Sequence, residues 1–532
     1  MFTVFLFTSD IRSQNLAPPL VWQHCYGGSL DDIGYSIAPY SDGGFIFCGC
    51  SGSSDGDIYP KSEPLHGGTC DYWAARIDAD SNILYKIHLG GTGSDVARTT
   101  FETKDGNVII AGSSSSTDVD VVCSLTDLNF WILMVNASYE MQWKKCYGGS
   151  GYDDFGSMLE TGDGGFAICG GTSSSNSGDV TFNHGYSDFW LVKTDASGNI
   201  EWQKCYGGTQ YEKAFDIDVC ADGGFIMAGF TASNDGDVAG NHSTDFDGWV
   251  IKTDALGNLQ WQKCIGGTGQ DGFYKVLQLA NKNYLISGYT FSADGDITGK
   301  HGDEFYDDGL LAMLDENGNL LWSKAYGGDS IDELAGIIQD PLGQIFVSGY
   351  SQSSNGDLSQ NYGNYDYWLM NIDENGTIIW DSTYGGPAAD VCNEIAISTT
   401  GRLAMMGYTA SDSLQVNGNH GVDTSQHPIN LAKKKDFWIA NFGSVVGIPE
   451  IIKSTLTIIP SLAHDAVQVS FNDIMDENVL IIVRNTSGRL VHNEMIIYQK
   501  QLLMDISSLP QGIYFIEVKS EEQIAIGKFV KM

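Results

Sequence analysis

The 532 residues include 42% apolar side chains, enough to build true cores, so a wholly disordered chain is excluded. Acidic residues outnumber basic ones by 67 to 28, a net charge of −39, and no basic patch is visible, so neither nucleic acid nor an anionic membrane surface is expected as a partner. The 65 glycines reflect repetition rather than low complexity.

Residues 1–17, MFTVFLFTSDIRSQNLA, open with a short apolar run from Phe2 to Phe7. They read as the end of a clipped signal peptide, with an unstructured start as the alternative. No run of 18 apolar residues occurs, so no transmembrane helix is predicted. From Val21 to Phe442 the chain repeats. A Gly-Gly pair begins at Gly27, Gly90, Gly148, Gly207, Gly266, Gly327 and Gly385, every 58 to 63 residues, which gives seven copies of one unit. The copy from Asp195 to Asp247 shows the content: a hairpin DASGNIEWQKCYGG, a strand DGGFIMAGFT, a polar loop NDGDVAGNHSTD, and the aromatic strand DGWVIKTD that opens at Asp247. No useful length carries helical periodicity, so the chain reads as all-β. Phe189-Trp190-Leu191-Val192 and Phe225-Ile226-Met227-Ala228 are apolar without alternation, as expected of sheets covered on both faces. Closing seven four-stranded units into a ring also leaves only short, protected edges, which favours a seven-bladed β-propeller over residues 18–446 rather than an open solenoid.

Within the units one strand position is always glycine: Gly49, Gly112, Gly170, Gly229, Gly288, Gly349 and Gly407. Glycine weakens a strand unless another backbone comes close, so this row is expected to mark tight packing in the ring. Cys48 and Cys169 precede that glycine, and Cys25, Cys146, Cys205 and Cys264 share another equivalent position. These six read as small buried thiols rather than a disulfide framework. The loop between the second and third strands carries Asp-Gly-Asp at Asp55, Asp235 and Asp294. Asp235 with Asp237 and Asp294 with Asp296 are therefore candidate calcium ligands, set against the plain turn role of Asp and Gly; calcium is the one cofactor suggested. His66, His184, His242, His301 and His420 follow in five units. A residue repeated so often is expected to make a structural hydrogen bond, because catalysis needs it once. The seventh loop, Asp412 to Asp436, is the longest, with His427-Pro428 and Lys433-Lys434-Lys435, and either recognition or tolerated insertion explains it.

The Asp195, Gly198, Trp202 pattern resembles the Asp-to-Gly-to-Trp turn of quinoprotein-like propellers, one residue tighter, with Tyr85 replacing Trp in one unit and Gly309-Leu310 replacing the aromatic pair in another. The resemblance implies blade docking and no quinone. Whole units such as EWQKCYGG and SDFWLVKTDASGN resemble the roughly 60-residue repeats common in secreted and surface proteins of Bacteroidetes-type bacteria, which implies location and fold more than activity. After the linker GSVVGIPE, residues 447–532 have no Trp or Cys and alternate short strands with turns, a small β-sandwich. Pro460 with Asp465, the turn Asn485 to Val491, DISSLPQGIYFIEV from Asp505, and the ending Lys528-Phe529-Val530-Lys531 are similar to the type A C-terminal sorting domain of the type IX secretion system. The resemblance puts the sorting signal on Asp505, Gly512, Tyr514, Lys528 and Lys531. It implies type IX machinery as partner and a secreted or outer-membrane cell-surface location.

Catalysis finds no Gly-x-Ser-x-Gly elbow, His-Glu-x-x-His pair or phosphate loop. The expected function is a monomeric surface binding or adhesion module for a glycan or protein; the alternative is a secreted hydrolase or lyase working in the propeller funnel. The two differ in whether acidic residues unique to one blade converge on the funnel.

Overall fold

The computed structural model describes residues 17–58, 70–121, 123, 127–243, 245–420 and 434–444, and in the tail 456–459, 462–463, 466–471, 478–485, 490–497, 501–507, 509–519 and 524–531. The segment 1–16, His66, His427-Pro428 and Lys433 lie outside the described residues.

Seven strands that each open on an acidic residue touch one another in a closed circle: Asp32–Pro39, Asp95–Glu102, Asp153–Glu160, Glu212–Val219, Asp271–Gln278, Asp332–Gln339 and Asp390–Ile397. Each begins an antiparallel four-stranded sheet. In blade four the order is Glu212–Val219, Phe225–Thr231, Asp247–Thr253, Leu259–Ile265. Blades one to six occupy 32–89, 95–147, 153–206, 212–265, 271–326 and 332–384. Blade seven takes three strands from 390–444, and its fourth is Leu20–Tyr26 from the other end of the repeats, with His24 opposite Ile439. The ring is a seven-bladed β-propeller, and the sequence repeat runs one strand out of phase with the blade. Apart from one short turn of 3-10 helix, Gly56–Ile58, no helix occurs among the described residues.

Every first strand skips its fourth residue in the ladder, at Tyr35, Arg98, Gly156, Phe215, Tyr274, Ala335 and Asn393. These bulges re-aim side chains toward the axis. They also explain the glycine row. A Cβ at Gly49, Gly112 or any of the other five would collide with the carbonyl oxygen of Ile33, Val96 or its equivalent beside the bulge. The closest backbone approach is thus within a blade, and at Gly49, Gly112 and Gly170 an aromatic ring of the neighbouring blade, Phe437, Tyr72 or Phe130, presses on the same spot.

Blades adhere through the third strand, which is buried almost throughout, with Trp73, Trp131, Trp190, Trp249, Trp368 and Trp438 fully enclosed. Each such ring contributes about 2–3 kcal/mol of apolar burial. Volumes compensate across the interface. Blade four has Gly248 where others have an aromatic residue, and Phe273 of blade five fills the space; Gly309 is filled in the same way by Leu334 of blade six. Where the third strand carries Phe189 or Tyr72, the facing residue of the next blade is Ala214 or Ala97. The outer strands dock onward as the quinoprotein-like resemblance implies. Trp202 and Trp261 lie against Gly257 and Gly318 in the next blade's hairpin, and the Tyr147 hydroxyl donates to the Gly198 carbonyl at 2.6 Å. Tyr26 does the same to Ser81 at 2.8 Å, so the joint that closes the ring is built like the others.

Two disulfides correct the reading of the cysteines: Cys123 is bonded to Cys146, and Cys50 to Cys70. Cys146 lies opposite Trp131 as its equivalents Cys205 and Cys264 lie opposite Trp190 and Trp249, but only in blade two does the polar loop bring a second thiol beside that position. Cys25, Cys48, Cys169, Cys205 and Cys264 are free, and all but the half-buried Cys205 are buried.

A second compact unit begins at Gly443. It holds a three-stranded sheet and a five-stranded sheet. Asp505 ends the strand Gln501–Asp505 opposite Ala466. Gly512 opens Gly512–Lys519 opposite Lys531, and Lys528 lies opposite Phe515. Tyr514 is buried and donates its hydroxyl to the Pro510 carbonyl at 2.8 Å.

Candidate functional site at the axial mouth

Two kinds of position meet on the face from which the polar loops emerge. The first kind repeats in every blade and holds the ring together. Asp271 is fully buried, and its carboxylate accepts from Gly267 N–H at 2.8 Å, from the Thr290 hydroxyl and from the Ser292 hydroxyl at 2.8 Å. Asp32, Asp95, Asp153, Asp332 and Asp390 accept from the same kinds of partner.

The histidines belong to this first kind. Nδ1 of His184, His242, His301 and His420 lies 2.5, 2.6, 3.1 and 2.6 Å from the buried Asp188, Asp247, Asp308 and Asp436 of its own blade. Nε2 points to the next blade, 3.8, 3.5, 3.9 and 3.7 Å from Asp237, Asp296, Asp357 and Asp57. In blade six both partners change together: Tyr362 replaces the histidine, and its hydroxyl lies 3.2 Å from Gln415, which replaces the aspartate.

The candidate calcium residues lie in this clasp. Asp235 accepts from Thr209 N–H at 2.8 Å and its hydroxyl at 2.9 Å, and Asp294 accepts from Thr268 in the same way. Asp237 and Asp296 donate their N–H to the Gly207 and Gly266 carbonyls at 2.9 Å. Among the described residues no group of three or more His, Cys, Asp or Glu side chains is disposed to hold a metal ion.

The second kind of position differs from blade to blade and surrounds the axis. A cavity of about 300 Å³ opens there, lined by Tyr35, Arg98, Phe215, Tyr274, Glu333 and Tyr350 among others. Its floor is an ion-pair bridge across the ring: Lys275 Nζ lies 2.6 Å from Glu394 and 3.8 Å from Asp216. Burial opposes the charge on Lys275, yet the two carboxylates outweigh it and hold the ammonium above its ordinary pKa. On one side of the cavity the charges are matched. Lys213 pairs with Asp154 and lies 4.7 Å over the Phe215 ring, and Arg98 lies 4.9 Å over Tyr35. Against the burial that would raise it, Lys213 and Arg98 hold the Asp154 carboxyl below its usual range.

The opposite side, on blades five and six, is aromatic and anionic. Tyr274, Tyr350 and Glu333 line the cavity there; the ring centroid of Tyr289 lies 5.4 Å from that of Tyr274, and Tyr365 meets Tyr350 edge to face at 5.6 Å. The Glu333 carboxylate is faced by the hydroxyls of Tyr274 and Tyr350 and by the Asp307 carboxyl. Burial, and then the charge of Glu333, push Asp307 up to about 8. Among the described residues no cation pairs with either carboxyl.

Sequence reading passed over these residues. Their signal lies in the repeat itself: the residue after each inner acidic position is Ile33, Val96, Asp154, Lys213, Gly272, Glu333 and Val391, a row that varies beside one that does not. Acidic residues unique to single blades therefore do converge on the funnel, but Asp154, Asp216 and Glu394 are taken up by lysines, which leaves Glu333 with Asp307.

A closed ring of seven four-stranded sheets defines the class, a seven-bladed β-propeller. Residues 457–532 match the family described as the Secretion system C-terminal sorting domain, so this propeller is a secreted one, sent by the type IX system to the cell surface or outer membrane. Solved structures similar to it include the WD40 domain of Neurospora crassa Pan2 (10% identity, 79% of this chain and 95% of that one, TM-score 0.43) and a Dyadobacter fermentans protein of unknown function (10%, 80% and 98%, TM-score 0.39). A puromycin hydrolase is also similar, at 9% identity over 73% of this chain and 53% of that one, with a TM-score of 0.43. No curated protein matches the chain. Among the described residues no helix is long and apolar enough to cross a membrane.

Proposed function

We propose that the propeller is a binding module displayed by its sorting tail, and that it takes its ligand, a surface glycan or protein, at the axial mouth. The observation that carries this is the separation of positions: what repeats builds the ring, and what varies lines the cavity. Loops on the same face add exposed aromatic residues, with Tyr186 and Phe305 each 74% exposed, side chains suited to contact because they bring area at little entropic cost. The hydrolase or lyase reading has weaker support. Glycoside hydrolysis places two carboxyls about 5–9 Å apart with the scissile bond between them, whereas Asp307 and Glu333 face each other directly.

The test is an array of glycans and host or matrix proteins probed with the full chain, with and without calcium, beside a Tyr274→Ala, Tyr350→Ala variant. Retained folding with lost binding supports the mouth. Binding unchanged in the variant moves the contact elsewhere, and turnover of a bound glycan replaces the binding reading with the enzymatic one. Removing residues 447–532 should leave the propeller folded and inside the outer membrane; a truncated chain that still reached the surface would overturn the role of the tail.

A further inference from the structure

We infer that the blade-five and blade-six side of the mouth binds an organic ammonium group, held between the rings of Tyr274, Tyr289, Tyr350 and Tyr365 and the carboxyls of Glu333 and Asp307. This rests on the mouth being the binding site and names the chemistry it selects.

Three observations converge. An aromatic ring face attracts a cation, most strongly where water is thin. Elsewhere around the axis that place is already filled by the protein's own cations: Arg98 over Tyr35, Lys213 over Phe215, and Lys435 over Tyr408 at 4.2 Å. Only on blades five and six do the tyrosines surround carboxyls that have no cation among the described residues.

The two carboxyls press the same way. Asp307 is 5% exposed and has the half-buried Glu333 beside it, so its ionised form is costly and it holds a proton near neutral pH. The charges that act on Asp307 are those of Glu333 and Asp332 from the first strand of blade six, and its own charge is felt by Tyr289, Tyr350 and Tyr365. None is a cation, so an arriving ammonium would supply the missing charge and expel the proton. A net charge of −39 draws cations to the mouth before contact.

The ligand class separates from its source by probe. Choline presents a quaternary ammonium, Nα-acetyl-lysine amide a protein-type one, and glucosamine a sugar-borne one; N-acetylglucosamine is the same ring without the charge. Titration calorimetry on the full chain should show at least one of the three cations binding, with a binding heat that differs between buffers of different ionisation enthalpy at one pH, the mark of proton release, and N-acetylglucosamine at least about tenfold weaker, a difference of about 1.4 kcal/mol. Whichever cation binds identifies the source. Glu333→Gln, nearly isosteric, should weaken binding about tenfold or more, while Tyr350→Phe, which keeps the ring, should stay within a few-fold of the native chain and Tyr350→Ala should not. No binding by any cation, equal binding of glucosamine and N-acetylglucosamine, or indifference to Glu333→Gln would each overturn the inference. A mouth variant that loses array binding while no cation binds would overturn the ammonium class and leave the mouth standing.

Discussion

Asp366 is fully buried; its Oδ2 accepts from Tyr362 N–H, and its Oδ1 has no hydrogen-bond partner. Burial, and then the charge of Asp390 across the blade junction, raise it to about 7. Burial likewise lifts Asp32, Asp271, Asp332 and Asp390 to about 6 from an ordinary 3.8. Between about pH 4 and 7 the folded ring therefore binds more protons than the unfolded chain, and stability falls as pH rises through that window. His420 acts in the same direction: its bond to Asp436 raises it, so its contribution is present at low pH and is lost as pH climbs through the raised value. Tm should thus increase when pH is lowered from 8 to 5 at fixed ionic strength, and Asp366→Asn should flatten the curve near 7. A Tm that is level or rises toward pH 8 would show that these carboxyls stay ionised.

A blade joint is an exchangeable element, because blade six has substituted both of its members. Tyr362→His alone should cost about 1–2 kcal/mol, as Gln415 gives the ring no carboxylate, and adding Gln415→Asp should recover most of it. Additive losses in chemical denaturation would mean that the two residues do not interact. The polar loops follow a similar logic. Asp235 and Asp294 already have N–H and O–H donors, so the turn reading expects calcium to raise Tm no more than sodium chloride at equal ionic strength, and a calcium-specific rise would restore the metal reading. What was legible in the sequence divides along these elements. Period, strand count and the buried third strand could be read because glycine turns and apolar runs are local. The glycine row was legible as a place where another backbone comes close, but the bulge beside it was not, since a bulge changes no residue type. Gly248 and Gly309 look like defects until Phe273 and Leu334 of the next blade are placed against them. The mouth was missed because its residues share no motif, only a place.

At the scale of the whole molecule, closure depends on seven residues. Deleting Leu20–Tyr26 leaves blade seven with three strands and uncovers Trp438, whose indole donates to Gln23 at 2.8 Å; the buried Tyr26 alone contributes about 2 kcal/mol of apolar burial. The shortened chain should unfold at lower temperature and lose the single calorimetric transition. An unchanged transition would mean that the ring does not need its clasp. Removal of a whole unit, such as Asp195 to Thr253, should be worse, because two apolar sheet faces are left open. The clasp also imposes an order in time. His24 cannot meet Ile439 until some four hundred residues have followed it out of the ribosome or across a membrane, and such distant pairings are slow to form. The last propeller strand, Asp436–Ser444, runs directly into the sorting unit. By the time the export address has been made, everything needed to lock the ring has been made as well, so a chain cut short within the propeller carries neither a finished ring nor permission to leave, and no chain bears the address without the strand that closes the ring.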